Sequence, residues 1–409
     1  SRAFGMPDLR FVVVPRIYRN LSPEESIRNT EPAFDELIRE LTVEADADAA
    51  TSGESIGPAA RFEGEDRFDA VLRMNQEYLR RDLGDGFPLM PATRSAVDDL
   101  LGGTSLAPDQ VVCDMPPGFG IATVEKIAIN AAAAGARPEH MPVIIGAVKA
   151  LSQVGPAGGK SLLMSTSPQA PLLVVNGPIR KELAINARSA LGPGFDNRVN
   201  ITIGRAFSMC LRNIGHWYPN KMDMDTIGTT RKFVMCIAEN EEMSPWAPFH
   251  VDRGFKPEES TVSVFVTDGE VDVGDQGNYS AEGLLKTVAY GASFGRGSEK
   301  LILLPPDVAA PVGAQGFTKR EAKEFIHMHA NASLGKMTQY MPLEESGSRV
   351  ADHLRGSLSE QELLDKMVPV LESADRYDIL VVGADRAKTL VMPTGPSAVT
   401  VGVDQFRPD

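Results

Sequence analysis

The sequence predicts an α/β protein, built of mixed or mostly parallel sheets with flanking helices in two or three lobes. Short apolar, β-branched runs alternate along the chain with segments whose apolar residues recur at helical spacing, the pattern of a sheet covered by helices. The length of 409 residues exceeds one domain at roughly 100–200 residues each, and a hydrophobic content of 43% can bury a large core.

Residues 10–15, Arg-Phe-Val-Val-Val-Pro, read as a buried strand closed by Pro15. A helix follows from the Ser22-Pro23-Glu24-Glu25 capping box to about Leu41. This unit, residues 1–45, is expected to be the tail of a preceding α/β domain. Residues 46–66, rich in Asp, Ala, Gly and Ser without apolar periodicity, read as a linker. The main substrate-binding domain is expected over 67–300. Its first helix carries Phe68, Val71, Leu72, Met74, Tyr78 and Leu79 and stops near Gly84, and Ser95 to Leu101 forms another between rigid loops at 86–91 and 116–120. Thr123 caps a helix through Ala134, and the next helix runs to Leu151. Strands are expected at 172–175, 232–238 and 262–266, with helices at 178–185, 199–214 and 281–291. A C-terminal α/β lobe, 301–409, takes strands at 301–304, 379–382 and 398–401. Its helices are expected at 319–331, begun by a Thr318/Glu321 capping box, and at 359–373. No repeat at a fixed period is visible.

With 41 Lys+Arg against 55 Asp+Glu the formal charge is −14, which excludes a nucleic-acid backbone as the expected partner. No stretch approaches the ~18 apolar residues of a membrane span, and the first residues lack the pattern of a signal peptide. Cys113, Cys210 and Cys236 lie far apart without a C-x-x-C pair, which fits a reducing cytoplasm and neither an Fe–S nor an all-cysteine zinc site. Cys210 and Cys236 fall in apolar element interiors, whereas Cys113 is the reachable thiol, its pKa raised by Asp114. A homo-oligomer is the expected assembly.

Several motifs resemble known sites without meeting their chemistry. Gly155-Pro-Ala-Gly-Gly-Lys160-Ser161 is one residue short of a phosphate-binding loop and lacks its strand–loop–helix setting. Asp268-Gly-Glu270-Val-Asp272 opens like a calcium loop, but Val273 stands where glycine is required, so a solvated acidic turn is expected. His327 and His329, two apart on a helix, point away from each other and cannot share a metal.

Three constellations carry chemistry. Glu239, Glu241 and Glu242 follow a hydrophobic strand and precede Trp246 and His250, at the carboxyl end where ligands of α/β sheets collect. These carboxylates and the histidine can bind a divalent metal or divide acid and base roles, or else form a solvated acidic loop. Glu125, Lys126 and Asn130 begin a helix, with Lys126 and Asn130 one turn apart where an anion is favoured, or on a plain exposed face. Asn176, Arg180, Asn200 and Arg205 follow one strand end, where Asn and Arg can line a pocket for a small carboxylate or serve as caps and surface charges.

The segments Gly86-Phe-Pro-Leu-Met-Pro-Ala-Thr, Ala122-Thr-Val-Glu-Lys-Ile-Ala-Ile-Asn130, Val175-Asn-Gly-Pro-Ile-Arg-Lys-Glu-Leu183 and Cys236-Ile-Ala-Glu-Asn-Glu-Glu242 resemble, in that order, the UGSC-type (seleno)protein family. That resemblance spans roughly residues 66–300 and implies that residues 1–45 end the small thiol domain bearing the family's motif, expected upstream of Ser1. Ala136 stands where the resemblance implies a cysteine. The resemblance locates a site rather than naming a substrate.

The expectation is an enzyme acting on a small anionic substrate. Glu239, Glu241, His250 and Lys126 are its expected catalytic residues, and Glu125, Asn130, Asn176, Arg180, Asn200 and Arg205 bind the substrate. Thiol- or metal-assisted reduction or bond cleavage is the expected chemistry, of lyase or reductase type, with a hydratase or hydrolase as the alternative. The other alternative is a non-catalytic α/β subunit partnering a separate redox thiol domain.

Overall fold

The computed structural model describes residue 12 and residues 21–42, 60–154, 163–295, 297–343, 348–354, 356–395 and 398–408. The chain divides into two units, Ser1–Asp66 and Arg67–Asp409. In the first, helix α1 (Pro23–Thr42) forms on its capping box, Glu25 N–H donating to Ser22 Oγ at 3.2 Å and Ser22 N–H to Glu25 Oε2 at 2.9 Å. The strand expected at 10–15, Val12 apart, and most of the linker lie outside the described residues.

The second unit is the α/β body. Helices α2 (Arg67–Arg80) and α3 (Arg94–Leu101) lead into a hairpin of β1 (Val111–Met115) and β2 (Gly120–Thr123), then α4 (Val124–Ala133) and α5 (Met141–Gln153). Six expected segments become strands of one mixed sheet: β3 (Ala170–Asn176), β4 (Met235–Ala238), β5 (Thr261–Thr267), β7 (Glu299–Leu304), β10 (Tyr377–Val381) and, expected at 398–401, the last strand, Val399–Gly402. Between β5 and β7 lies β6 (Val271–Gly274). It follows β5 after the acidic Asp268–Glu270 bend, and β11 (Lys388–Thr394) and β12 (Val399–Gly402) pair with β6 and β5. These two successive strand pairs, β5 with β6 and β11 with β12, run antiparallel through the centre, Gly274 facing Lys388, Thr267 facing Thr394 and Thr261 facing Gly402. On one side β3 pairs antiparallel with β5 and parallel with β4. On the other, β7 pairs antiparallel with β11 and parallel with β10.

The two sides are therefore topological copies. Helix α5, ahead of β3, packs on β5 and β12, while α7 (Ala281–Ala292), ahead of β7, packs on β11 and β6. Helix α6 (Arg198–Asn213) links β3 to β4; α8 (Pro306–Ala314) and α9 (Lys319–His329) link β7 to β10. This repeat was invisible as a sequence period because the connections of the two halves differ in length and content.

The copies meet where Asn240 N–H, just past β4, donates to Val381 O at the end of β10 at 2.8 Å. The sheet thus curls around an interior that includes Leu172, Val174, Ile237, Leu301, Leu303 and Leu380. The residues one step along, such as Ile302, Leu304, Ile379 and Val381, pack outward with Val288 of α7 and Ile326 of α9. Burial on both faces is why these strands read as continuous apolar runs. A Cβ on Gly146 of α5 would meet Val262 Cγ1 at 2.9 Å and Val403 Cγ1 at 2.8 Å, so glycine sets how closely that helix lies on the sheet.

Several elements differ from expectation. The boundary expected at residue 300 runs through the sheet, since both flanking regions contribute strands to it. The helix expected at 359–373 is only Glu360–Asp365, because β9 (Met367–Pro369) pairs instead with β8 (Asn331–Ser333), which also takes the end expected for α9. The segment 178–185 holds a single helical turn, Ile179–Glu182, and strand pairing begins only at Met235, after a 3₁₀ turn at Thr230–Phe233. Strand β11 went unforeseen because it contains Pro393, which cannot donate to a ladder; its carbonyl nonetheless accepts from Asp268 N–H at 2.8 Å.

Candidate functional site

The carboxyl ends of β3 and β4 place Asn176 and Glu239 beside one another. Both are fully buried, and Asn176 Nδ2 donates to Glu239 Oε2 at 2.6 Å. The same oxygen accepts Phe249 N–H at 2.7 Å, from the one-turn helix Phe249–Asp252 that also carries His250. Chain reversal after β3 depends on Gly177, whose φ is +81° and whose Cβ would lie 2.2 Å from Glu259 O. Gly177 N–H points at Glu241 Oε1, 2.8 Å away, and Asn176 Nδ2 reaches that oxygen at 3.1 Å.

Arg180 completes the group. Its Nη2 donates to Glu241 Oε2 at 2.9 Å, while Nη1 and Nη2 grip both oxygens of Glu242. Lys181 also pairs with Glu242 at 2.6 Å. Hydrogen bonds from Arg180 hold the Glu242 carboxyl down to about 2. A continuous polar chain therefore runs from Glu242, whose side chain is 44% exposed, through Arg180, Glu241 and Asn176 to the enclosed Glu239.

Glu239 behaves in the opposite sense. Burial pushes its carboxyl up to about 7, opposed by the nearby Lys319 ammonium and the bonds from Phe249 and Asn176, and assisted by Glu241. Glu239 Oε1, Asn176 Oδ1, Thr261 Oγ1 and both ring nitrogens of the fully buried His250 have no hydrogen-bond partner among the described residues. Thr261 faces Asn176 directly across the β3–β5 ladder. Buried polar groups are ordinarily satisfied, so this concentration marks the place as chemically unusual.

The other expected site residues lie elsewhere and have structural partners. Lys126 Nζ donates to Ile121 O at 2.9 Å, and Asn130 bonds Lys126 O and accepts from Asn213 Nδ2 at 2.6 Å, tying α4 to α6. Glu125 pairs with Arg94 at 2.7 Å. Asn200 Nδ2 donates to Asn186 O and Cys236 O, and its Oδ1 accepts Asn186 N–H, clipping a loop onto β4. Arg205 is bound by both oxygens of the buried Asp85 and by Pro88 O. Asparagine's paired donor and acceptor here serve backbone, which sequence spacing does not separate from ligand binding.

Among the described residues no group of three or more His, Cys, Asp or Glu side chains is arranged to hold a metal ion. Both oxygens of Glu241 are taken, by Gly177 N–H and Asn176 on one side and Arg180 on the other, so the donor set expected from Glu239, Glu241 and His250 does not assemble. The thiols fit no nucleophilic role either. Burial pushes Cys113 up to about 11, more than its neighbour Asp114 does, and pushes Cys236 up to about 12. Residues 155–162, with the shortened phosphate-loop motif, lie outside the described residues. His327 faces the Tyr377 ring while His329 Nδ1 meets Phe325 O at 2.8 Å, so the two histidines diverge as their spacing required. Lys319 was missed, since nothing in the sequence near 319 points to a residue 80 positions earlier.

No helix among the described residues is long and apolar enough to cross a membrane. No protein-family model matches the chain, and no curated protein matches it in sequence.

Proposed function

We propose that the chain is an enzyme acting on a small anionic molecule by proton transfer, in an elimination or hydration reaction, with Glu239 as the proton-carrying group. The observation that supports this most is the enclosed carboxyl of Glu239, raised to about 7 with one oxygen unused. A carboxyl poised near neutrality can both give and take a proton at working pH. Asn176 and the Phe249 N–H fix one oxygen and leave Oε1 for the reacting atom. Arg180 is the group for the substrate's charge: Glu241 and Glu242 now occupy the fork that a substrate carboxylate would fit, and the half-exposed Glu242 is the one to displace. His250 is the second proton carrier, with two unpartnered ring nitrogens. Reductive cleavage would need a thiol from a separate domain or subunit, given how far burial raises Cys113 and Cys236.

The rival reading, a non-catalytic subunit, draws on the complete burial of Glu239 and His250. Deuterium exchange into malate, succinate and fumarate in D₂O separates the two. Exchange into one of these acids that is lost in Glu239→Gln, with affinity reduced in Arg180→Lys, supports the enzyme; no exchange and no affinity for any of the three overturns it.

A further inference from the structure

A cavity of about 860 Å³ lies in the other half of the body between α7, the end of α9 and β8. Its walls have two characters. Lys286 and Tyr290 of α7 and Phe294 just past its end follow at four-residue intervals, and the two rings meet edge to face with centroids 5.0 Å apart. His329, Asn331 and Lys336 contribute from the other elements. The Phe294 rim is held from beneath: Lys300, only 1% exposed, donates to Phe294 O and Gly295 O, each at 2.8 Å.

Two lysines give the cavity a positive rim. Acidic residues outnumber basic ones 55 to 41, and Lys181, Lys221, Lys232, Lys319 and Lys388 are all ion-paired. Lys286 and Lys336 both line the cavity, and neither has a carboxylate partner among the described residues. The first half gives the contrast. After α6 and before β4, the 1%-exposed indole of Trp217 is enclosed, its Nε1–H donating to Leu163 O at 2.9 Å. The first half encloses a ring of its own after its connecting helix, and the second has a cavity edged by two rings and by two ammonium groups without a carboxylate partner among the described residues.

We propose that the cavity binds a small molecule carrying a planar ring and an anionic group, the ring lying against Tyr290 and Phe294 and the anion between Lys286 and Lys336. Its volume suits such a ligand, aromatic walls favour offset or edge contact with a ring, and the two ammonium groups attract the charge. The shared chemistry is met by nucleoside monophosphates and by arylcarboxylates. Glu239 and its partners take no part in it.

Calorimetric titration of the full chain tests this with adenosine monophosphate and benzoate as probes, and adenosine and inorganic phosphate as controls. Binding of either ring-bearing anion, weakened about tenfold or more by Lys336→Glu and by Tyr290→Ala, is expected. Adenosine monophosphate binding alone assigns the nucleotide class, and benzoate binding alone the arylcarboxylate class. Glu239→Gln should leave the affinity unchanged, which separates this site from the proton-transfer site. Both positions are exposed, so unfolding curves should match wild type, with Lys286→Glu as the second variant. The proposal is overturned if neither anion binds, if phosphate binds as tightly as adenosine monophosphate and benzoate does not bind, or if the substitutions leave affinity unaltered.

Discussion

Replacing Glu239 by glutamine should stabilise the protein at neutral and alkaline pH while removing proton transfer. The folded carboxyl sits at about 7 against an ordinary value of 4.5, because ionising it without water costs more than Asn176, Phe249 N–H and Lys319 return. Between those values the unfolded chain has released the proton and the folded chain still holds it. Stability of the wild type is therefore unaffected by this group below 4.5, falls as pH rises through the window, and levels off above 7. At 1.36 kcal/mol per unit, the difference amounts to about 3 kcal/mol. Glutamine keeps a carbonyl oxygen for the Asn176 and Phe249 donors and never ionises, so the variant escapes the loss. Urea denaturation of both proteins across this range is the assay, with m-values compared so that only stability is read. The gap between the curves should open by about 3 kcal/mol in favour of Glu239→Gln from acid to mildly alkaline pH. Parallel curves would mean that Glu239 titrates like an ordinary exposed glutamate and would remove the basis for its proposed role. A protonated-carboxyl infrared band that titrates near 7 and disappears in the variant is the direct spectroscopic counterpart.

Arg180→Gln leaves Glu241 and Glu242 repelling one another beside a buried strand end, and a loss of about 3 kcal/mol is expected in chemical denaturation; Arg180→Lys should recover only part, since a point charge cannot grip both carboxylates. Gly177→Ala puts a methyl into Glu259 O on a left-handed backbone, so loss of soluble expression or a drop of more than about 2 kcal/mol in unfolding free energy should follow. Thiol titration of the native protein at about pH 8 should find Cys210 and Cys236 inert and Cys113 slow, with all three released by denaturant; rapid native labelling of Cys236 would contradict its burial.

The parts of this molecule legible in its sequence are those fixed by local chemistry. The capping boxes at Ser22 and Thr318 start the expected helices, and the doubly buried runs at 172–175 and 301–304 are strands because a run apolar on every residue needs cover on both faces. Asn176 with Arg180 and Glu239 with Glu241 were each readable as polar residues just beyond a strand end, but in separate groups; the pairing of β3 with β4 is what joins them. Helix termini set by distant pairing were not: the helix expected from 359 starts there, on a Ser359 capping box, yet β8 ends it early by recruiting Met367–Pro369. Nor was the dispersal of Lys126, Asn200 and Arg205, whose partners Ile121, Cys236 and Asp85 satisfy them within the scaffold. Residue type announces what a side chain can bond, whereas the partner is chosen by packing.

The interlocking of β5–β6 with β11–β12 has a consequence for how the protein is made. Helix α5 rests partly on β12, so the cover of the first half is incomplete until residues 399–402 have left the ribosome, more than 240 positions after α5 itself. During synthesis β5 must wait with one edge bare, and contacts of such separation close slowly. Vectorial folding, one half settling before the next emerges, is closed to this chain.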